Sequence, residues 1–322
     1  MCKVGRMRYL IQIHLSESCN LRCKHCYQEN RGQSPLLSVK DFSNILDQAR
    51  SIANQRGFDT VQLNLTGGEP LLINNIREYI EVALLKVDKL LLLTNGTLID
   101  ESFAKYLTGK DKIRVQVSLD GIKEVHDSIR GENSFELAIR GIRLLSGNHI
   151  PTSVACTIHQ DNYKLIGEII KVADEAGADR IWFDRYVPCG NARPLGTREF
   201  IEAMTYLAAE RGNHRIEVGY NRALQFLFDS VGAYKCSALS KAVTILPDKT
   251  VLPCRRMPIP IGNLGKDTLV DIYANNSTLL EVLNNPPEQC KGCTLASRCN
   301  GGLRCLSFAT CGLEGKDPNC FL

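Results

Sequence analysis

The chain reads as an α/β protein: a parallel sheet flanked by helices, followed by a smaller loop-rich module. Three observations predict this. Strand-like and helix-like patterns alternate about six times between Arg8 and Asp184. The loops richest in Gly and polar residues all follow strands, so they share one rim of the expected sheet. After Val231 long periodic segments stop while Cys, Pro and Gly rise. The expected division is 1–231 and 232–322.

The elements follow in order. Strands are predicted at Tyr9–Leu15, Thr60–Leu65, Leu90–Leu93, Ile113–Leu119, Ser153–Ile158 and Arg180–Phe183 from β-branched and apolar runs bounded by turn residues. A helix is predicted over Ser38–Arg56, opened by Ser38 with Asp41 three residues on and stopped before Gly57. Another is predicted over Asn162–Ala176, with Leu165, Ile169, Val172, Ala173 and Ala176 on one face and Gly177 as its stop. Thr197–Asp229 reads as bridging helices broken by a strand-like stretch at Arg215–Val218. The last ninety or so residues bury too little apolar surface to stand without a staple.

Composition narrows the function classes. A net charge of +4 over 322 residues, without clustered Lys and Arg, gives no nucleic-acid footprint. No apolar run reaches the length of a membrane span, and the first fifteen residues lack the apolar core of a signal peptide. A cytoplasmic location is therefore expected, where the 14 cysteines are metal ligands or catalytic groups rather than disulfides.

Cys19, Cys23 and Cys26 stand in the run C-N-L-R-C-K-H-C-Y, directly after the first strand. Three thiolates are one short of the four that close an iron–sulfur or structural zinc site, and an open metal position is where chemistry happens. The alternative is a zinc knuckle completed by His25 or His14. Gly67-Gly68-Glu69-Pro70 follows the second strand, Thr94-Asn95-Gly96-Thr97 the third, and Ser118-Leu119-Asp120-Gly121 closes the fourth.

The three-cysteine run followed by G-G-E-P resembles the radical S-adenosylmethionine (SAM) superfamily. The resemblance implies a partial (β/α)6 TIM-like barrel. It implies that Cys19, Cys23 and Cys26 hold a [4Fe–4S] cluster whose fourth iron takes SAM. One electron from that cluster would then yield a 5′-deoxyadenosyl radical that removes hydrogen from substrate. Thiolate ligation permits the low potentials this needs, near the bottom of a range of about −700 to +450 mV. SAM contacts are expected from His25 near the adenine and from the backbone of Gly67 and Gly68 with the Glu69 carboxylate at the SAM ammonium. Ser118 and Asp120 are expected at the ribose, Asn95 more weakly, and Arg130 as a fork to the SAM carboxylate. Packing for His25, turn chemistry for Asp120 and a solvated surface for Arg130 are the competing readings.

The C-terminal run C290-x₂-C293-x₅-C299-N-G-G-L-R-C305, with Cys311 and Cys320, resembles the SPASM extension of radical SAM enzymes that modify peptides and proteins; Cys236 and Cys254 match its opening half. The resemblance implies two auxiliary [4Fe–4S] clusters, three in all. Cys236, Cys254, Cys305 and Cys311 are assigned to the first, and Cys290, Cys293, Cys299 and Cys320 to the second. The chain departs from the pattern at Leu303, which fills a usual cysteine slot, so the first auxiliary site is read as either fully ligated or open at one corner. A zinc-ribbon-like staple is the alternative.

Three cysteines remain. Cys2 reads as a terminal thiol and Cys156 as a core residue. Cys189, on the rim in V-P-C-G-N-A, is a candidate catalytic thiol that returns a hydrogen atom to substrate. The expected function is peptide or protein maturation: a crosslink, thioether, oxidation or epimerisation. With little chain before Cys19, a separate leader-binding partner is one expectation, as is a flavodoxin- or ferredoxin-like electron donor. A tetrapyrrole side-chain modifier is the enzymatic alternative, and a metal-stapled binding or electron-carrying module the non-catalytic one.

Overall fold

The structure, a computed structural model, describes residues 7–28, 34–189, 192–220, 224–228 and 235–322. Cys2, Gly190 and the expected boundary at 231/232 lie outside these residues. The strands are β1 (Arg8–His14), β2 (Thr60–Thr66), β3 (Lys89–Thr94), β4 (Ile113–Ser118), β5 (Thr152–Ile158), β6 (Arg180–Arg185), β7 (Glu217–Gly219), β8 (Ala242–Ile245), β9 (Thr250–Leu252) and β10 (Gly262–Asn263). Helices α1 (Val39–Gln55), α2 (Ile76–Lys86), α3 (Glu101–Leu107), α4 (Lys123–Arg130), α5 (Ser134–Gly147), α6 (Ile166–Glu175) and α7 (Thr197–Glu210) connect the first seven strands, with α4 and α5 together between β4 and β5. Then come α8 (Leu269–Asn275), α9 (Ser277–Asn284), α10 (Ala296–Cys299) and α11 (Arg304–Cys311).

All ten strands form one sheet in the order β10-β9-β8-β1-β2-β3-β4-β5-β6-β7. Strands β1 to β7 run parallel in sequence order, the wall of a partial barrel. The strand-like stretch expected at Arg215–Val218 appears as the three-residue β7, which adds to β6. Three strands, β8, β9 and β10, escaped the sequence reading, and β8 pairs parallel with β1, so β1 is interior rather than an edge. All three are too short for a period of two to register. The C-terminal region is thus tied into the main sheet and carries helices of its own.

Alternation along the strands separates two faces. Tyr9, Ile11, Ile13, Val61, Leu63, Leu65, Val115 and Val117 belong to the buried core. Gln12, Gln62, Asn64, Gln116, Ser118 and Asp184 fall on alternate, half-buried positions. A polar, half-buried sheet face is not core, and it leaves the inner wall hydrated enough to receive a ligand.

The helices start where their caps say. Ser38 accepts from the Asp41 amide at 3.0 Å to open α1, and Asp100 accepts from Phe103 at 2.7 Å to open α3. The helix expected over Asn162–Ala176 begins as a 3₁₀ turn, and its buried stripe is Ile166, Ile169, Ile170 and Ala173 rather than the face through Leu165 and Val172. Asn162 is diverted because its side chain bonds the carbonyls of Asp120 and Thr157. Among the described residues no helix is long and apolar enough to cross a membrane.

Candidate functional site

The three-cysteine loop leaves β1 and is braced by the next three strand-end loops. The amides of Gly68 and Glu69 each donate at 2.8 Å, to the carbonyls of Ser16 and Ser18. A Cβ on Gly67 would lie 2.3 Å from the Ser16 oxygen, and one on Gly68 would lie 2.0 Å from that of Ser18. The glycines therefore admit the cysteine loop itself. The Gly68 amide, expected to face a ligand, is spent on that loop, as is the amide of Glu69.

Glu69 is 2% exposed. Its Oε1 accepts from the Leu71 amide at 3.1 Å and from Thr94 Oγ1 at 2.7 Å; its Oε2 accepts from the Asn95 amide at 2.7 Å. Burial pushes its carboxyl above the ordinary value, and these donors pull back. A carboxylate oxygen takes two hydrogen bonds, so Oε2 keeps acceptor capacity. Asn95 passes the restraint on: its Nδ2 donates to Asn20 Oδ1 at 2.9 Å, while Asn20 Nδ2 donates to Thr97 Oγ1 at 2.9 Å. Asn20 lies between the first two cysteines.

Beyond β4, Asp120 and Arg130 meet each other rather than standing open. Arg130 Nε donates to Asp120 Oδ2 at 2.5 Å, its Nη1 lies 3.8 Å from Cys23 Sγ, and its Nη2 is 3.4 Å from His25 Nε2. Asp120 is fully buried, and its Oδ1 accepts from the Thr157 amide at 2.8 Å. Burial alone would raise its pKa, but the adjacent Arg130 guanidinium, then His25, hold it well below the usual carboxylate range. The expected Arg130 fork is thus directed at Asp120, the sulfur and His25. The pair spans ten residues because α4 folds back on β4, which also lets the Lys24 amide donate to the Ile129 carbonyl at 2.9 Å.

His25 is 3.4 Å from Asp120 Oδ2, stacks on His159 with centroids 6.3 Å apart, and meets the Tyr186 ring edge-on. His14 is buried and its Nε2 contacts Gln12 Nε2 at 3.0 Å. Neither histidine completes a zinc knuckle with the three thiols, and among the described residues no three such side chains are placed to hold a single metal ion. Thiolates of a cubane each take their own iron and stand farther apart. Amide-to-sulfur contacts of 3.4 Å, Leu21 to Cys19 and Gln28 to Cys26, suit thiolates bound to iron. Ser118 sits half-buried at the end of β4, facing the same way as Gln116.

Cys189 lies on the same rim. Its thiol is exposed, contacts the Val187 carbonyl at 2.9 Å, and has Arg256, Cys26 and Arg255 as electrostatic neighbours. The two arginines went unread in the sequence, although the run Cys254-Arg255-Arg256 offered a signal. Arg255 pairs with Glu17 at 3.1 Å and lies over the Tyr27 ring, and Arg256 is 3.8 Å from Asp184. Arg255 joins the first cysteine loop to the C-terminal region, and Arg256 joins that region to β6. His159 was likewise missed; only its place after a predicted strand pointed to it.

The C-terminal thiols fall into two sets. Cys290, Cys293, Cys299 and Cys320 line one small pocket with apolar neighbours including Leu224 and Leu227. Cys254 and Cys305, both free thiols, are in hydrogen-bond contact, with Cys236 close by. Cys311 does not join them. It lies six positions beyond Cys305 on α11, which turns it about 120° away and about 9 Å along the axis. Cys305 is buried whereas Cys311 is exposed against the Lys316 carbonyl. Of the expected set, the structure brings Cys236, Cys254 and Cys305 together and leaves Cys311 apart, which matches the reading with one open corner.

The radical SAM superfamily matches residues 13–179, and the SPASM iron–sulfur cluster-binding domain matches residues 236–294. The chain belongs to the radical SAM superfamily and carries the SPASM extension. Among relatives, it is 30% identical to the antilisterial bacteriocin subtilosin biosynthesis protein AlbA of Bacillus subtilis, over 84% of this chain but 60% of AlbA. It is 26% identical to the mycofactocin maturase MftC of Mycobacterium tuberculosis, over 95% of this chain and 81% of MftC. The fold is that of Streptococcus suis SuiB bound to S-adenosylmethionine, with a TM-score of 0.79, 18% identity, and coverage of 98% of this chain and 78% of that one.

Proposed function

We propose that the protein is a radical SAM/SPASM maturase acting on a peptide or protein. The observation that carries this reading is the convergence on one rim of a braced three-thiol loop and a C-terminal region with two further thiol sets. The relatives named for bacteriocin and mycofactocin maturation supply the substrate class. When bound and reduced, the cluster and SAM would supply hydrogen-atom abstraction.

Cys19, Cys23 and Cys26 hold the first cluster, and Asn20, Asn95 and Glu69 keep their loop in place. Glu69 Oε2 and the Gly67 backbone receive the SAM ammonium. His25 lies along the adenine, Ser118 faces the ribose, and Asp120 fixes Arg130 and His25 rather than reaching the ligand itself. Asp184, Arg256 and Cys189 border the substrate space. The second auxiliary cluster takes Cys290, Cys293, Cys299 and Cys320. The first takes Cys236, Cys254 and Cys305 and keeps one corner for a non-cysteine ligand. An external flavodoxin- or ferredoxin-like donor supplies the electron, a separate partner presents the peptide leader, and the reaction takes place in the cytoplasm.

The test is anoxic reconstitution followed by dithionite and SAM. We expect about twelve irons per chain, from three cubanes, and release of 5′-deoxyadenosine. Its formation should rise when a peptide encoded beside the protein is added. Iron-replete protein that releases none would refute the reading. Stimulation by a tetrapyrrole instead of the peptide would move the substrate class.

A further inference from the structure

A buried cation lies among the C-terminal thiols. Arg304 opens α11 and, at 1% exposed, heads the fully buried side chains by volume among the described residues. Its Nη2 donates to the Leu313 carbonyl at 2.7 Å and the Val282 carbonyl at 3.3 Å. Its Nε and Nη1 are buried and meet no acceptor among the described residues. Two idle donors on a desolvated guanidinium are costly, because a buried charge is tolerated only when paired and hydrogen-bonded.

Gly301, beside Arg304 Nη1, lines the pocket of Cys290, Cys293, Cys299 and Cys320, and Arg304 immediately precedes Cys305. Burial pulls the Arg304 pKa down, and Cys236 of the first auxiliary set, Glu314, Cys290 of the second and Cys311 oppose it electrostatically. The protein also makes room for it. Gly301 has φ +81°, and a Cβ there would sit 3.1 Å from Arg304 Nη1 and 2.4 Å from the Pro287 ring. Gly302 does the same for Asp317, whose Cβ would be 2.3 Å from a Cβ at 302. The run G-G-L-R is thus legible as two gaps: one seats a carboxylate, the other a guanidinium.

We propose that Arg304 is a positioning and potential-setting residue shared by both auxiliary clusters, its Nε and Nη1 reserved for their anionic sulfurs. The inference rests on the reading that these cysteines hold iron–sulfur clusters. Adding an electron makes a cluster more negative. A fixed cation and hydrogen bonds to its sulfurs stabilise that reduced state, so they raise the reduction potential. Removing the cation lowers it.

The experiment compares reconstituted wild type with Arg304→Gln and Arg304→Lys, full-length and anoxic. It measures iron and sulfide per chain and titrates the auxiliary clusters by electron paramagnetic resonance. The amino-terminal cluster serves as internal control. With Gln, the auxiliary oxidised-to-reduced ratio at the wild-type midpoint should rise at least tenfold, which for one electron is about 59 mV. Lys, which keeps the charge, should recover most of that shift. If Gln loses auxiliary iron altogether, Lys should restore it; failure of both variants to hold iron assigns the site to shape and overturns the proposal. Full iron content in Gln with unmoved midpoints overturns it alone. Only about four irons in the wild type would sink the cluster reading and this inference together.

Discussion

Removing the carboxylate of Asp317 should unseat the C-terminal region from the rim. Arg185, the last residue of β6, is 3% exposed, and its Nη1 and Nη2 donate to Asp317 Oδ1 and Oδ2 at 2.9 and 2.7 Å. The same carboxylate accepts from the Leu303 amide at 2.8 Å and the Asn319 amide at 3.0 Å. Asp317→Ala therefore weakens the compensation of a buried guanidinium, which costs about 3–5 kcal/mol, and strands two buried amides at about 1–3 kcal/mol each. These overlap, because all three partners can relax together, so a net loss of about 4 kcal/mol is expected. At about 2.1 cal/mol/K per residue, 322 residues give an unfolding entropy of about 0.7 kcal/mol/K, so the melting midpoint should fall by about 6 °C. The assay is anaerobic thermal unfolding of the reconstituted protein. Adding Arg185→Met to Asp317→Ala removes the cation as well, and should recover much of the loss. An Asp317→Ala midpoint within about a degree of wild type, or a double variant that melts no higher than the single one, would refute the reasoning.

Two further outcomes follow from the rim. Glu69→Ala leaves the donors on Leu71, Thr94 and Asn95 without their acceptor and frees the loop that holds Asn20. It should lose the amino-terminal cluster, about four of twelve irons, along with SAM binding; full iron with unaltered turnover would show that the bracing is dispensable. Cys189→Ala removes an exposed thiol beside Cys26 without touching a proposed ligand. Deoxyadenosine release should persist while modified product falls at least tenfold, and undiminished product yield would assign the thiol to packing.

What could be read in the sequence was what local chemistry dictates. Ser38 with Asp41 marked the start of α1, alternation marked β1 to β6, and three cysteines after the first strand marked the rim. The unread parts depend on contacts between distant residues. G-G-E-P announced a close backbone approach, but only the fold shows that the approaching backbone is Ser16 to Ser18. Asp120 and Arg130 each looked like a ligand because their pairing requires α4 to return across β4. Counting cysteines completed a set of four with Cys311, whereas the pitch of α11 turns it away from Cys305. These misses share a cause. Residues that touch a cofactor need only a suitable type at a suitable spacing, which a sequence displays directly. Residues that hold those contacts rigid owe their role to partners far along the chain, as Asn95 does to Asn20, Asp317 to Arg185 and Arg304 to two thiol sets at once. In a protein that must keep low-potential clusters dry and fixed, this second group sets the charge and geometry each cluster experiences, and substitutions there should alter potentials and iron loading before they alter the fold.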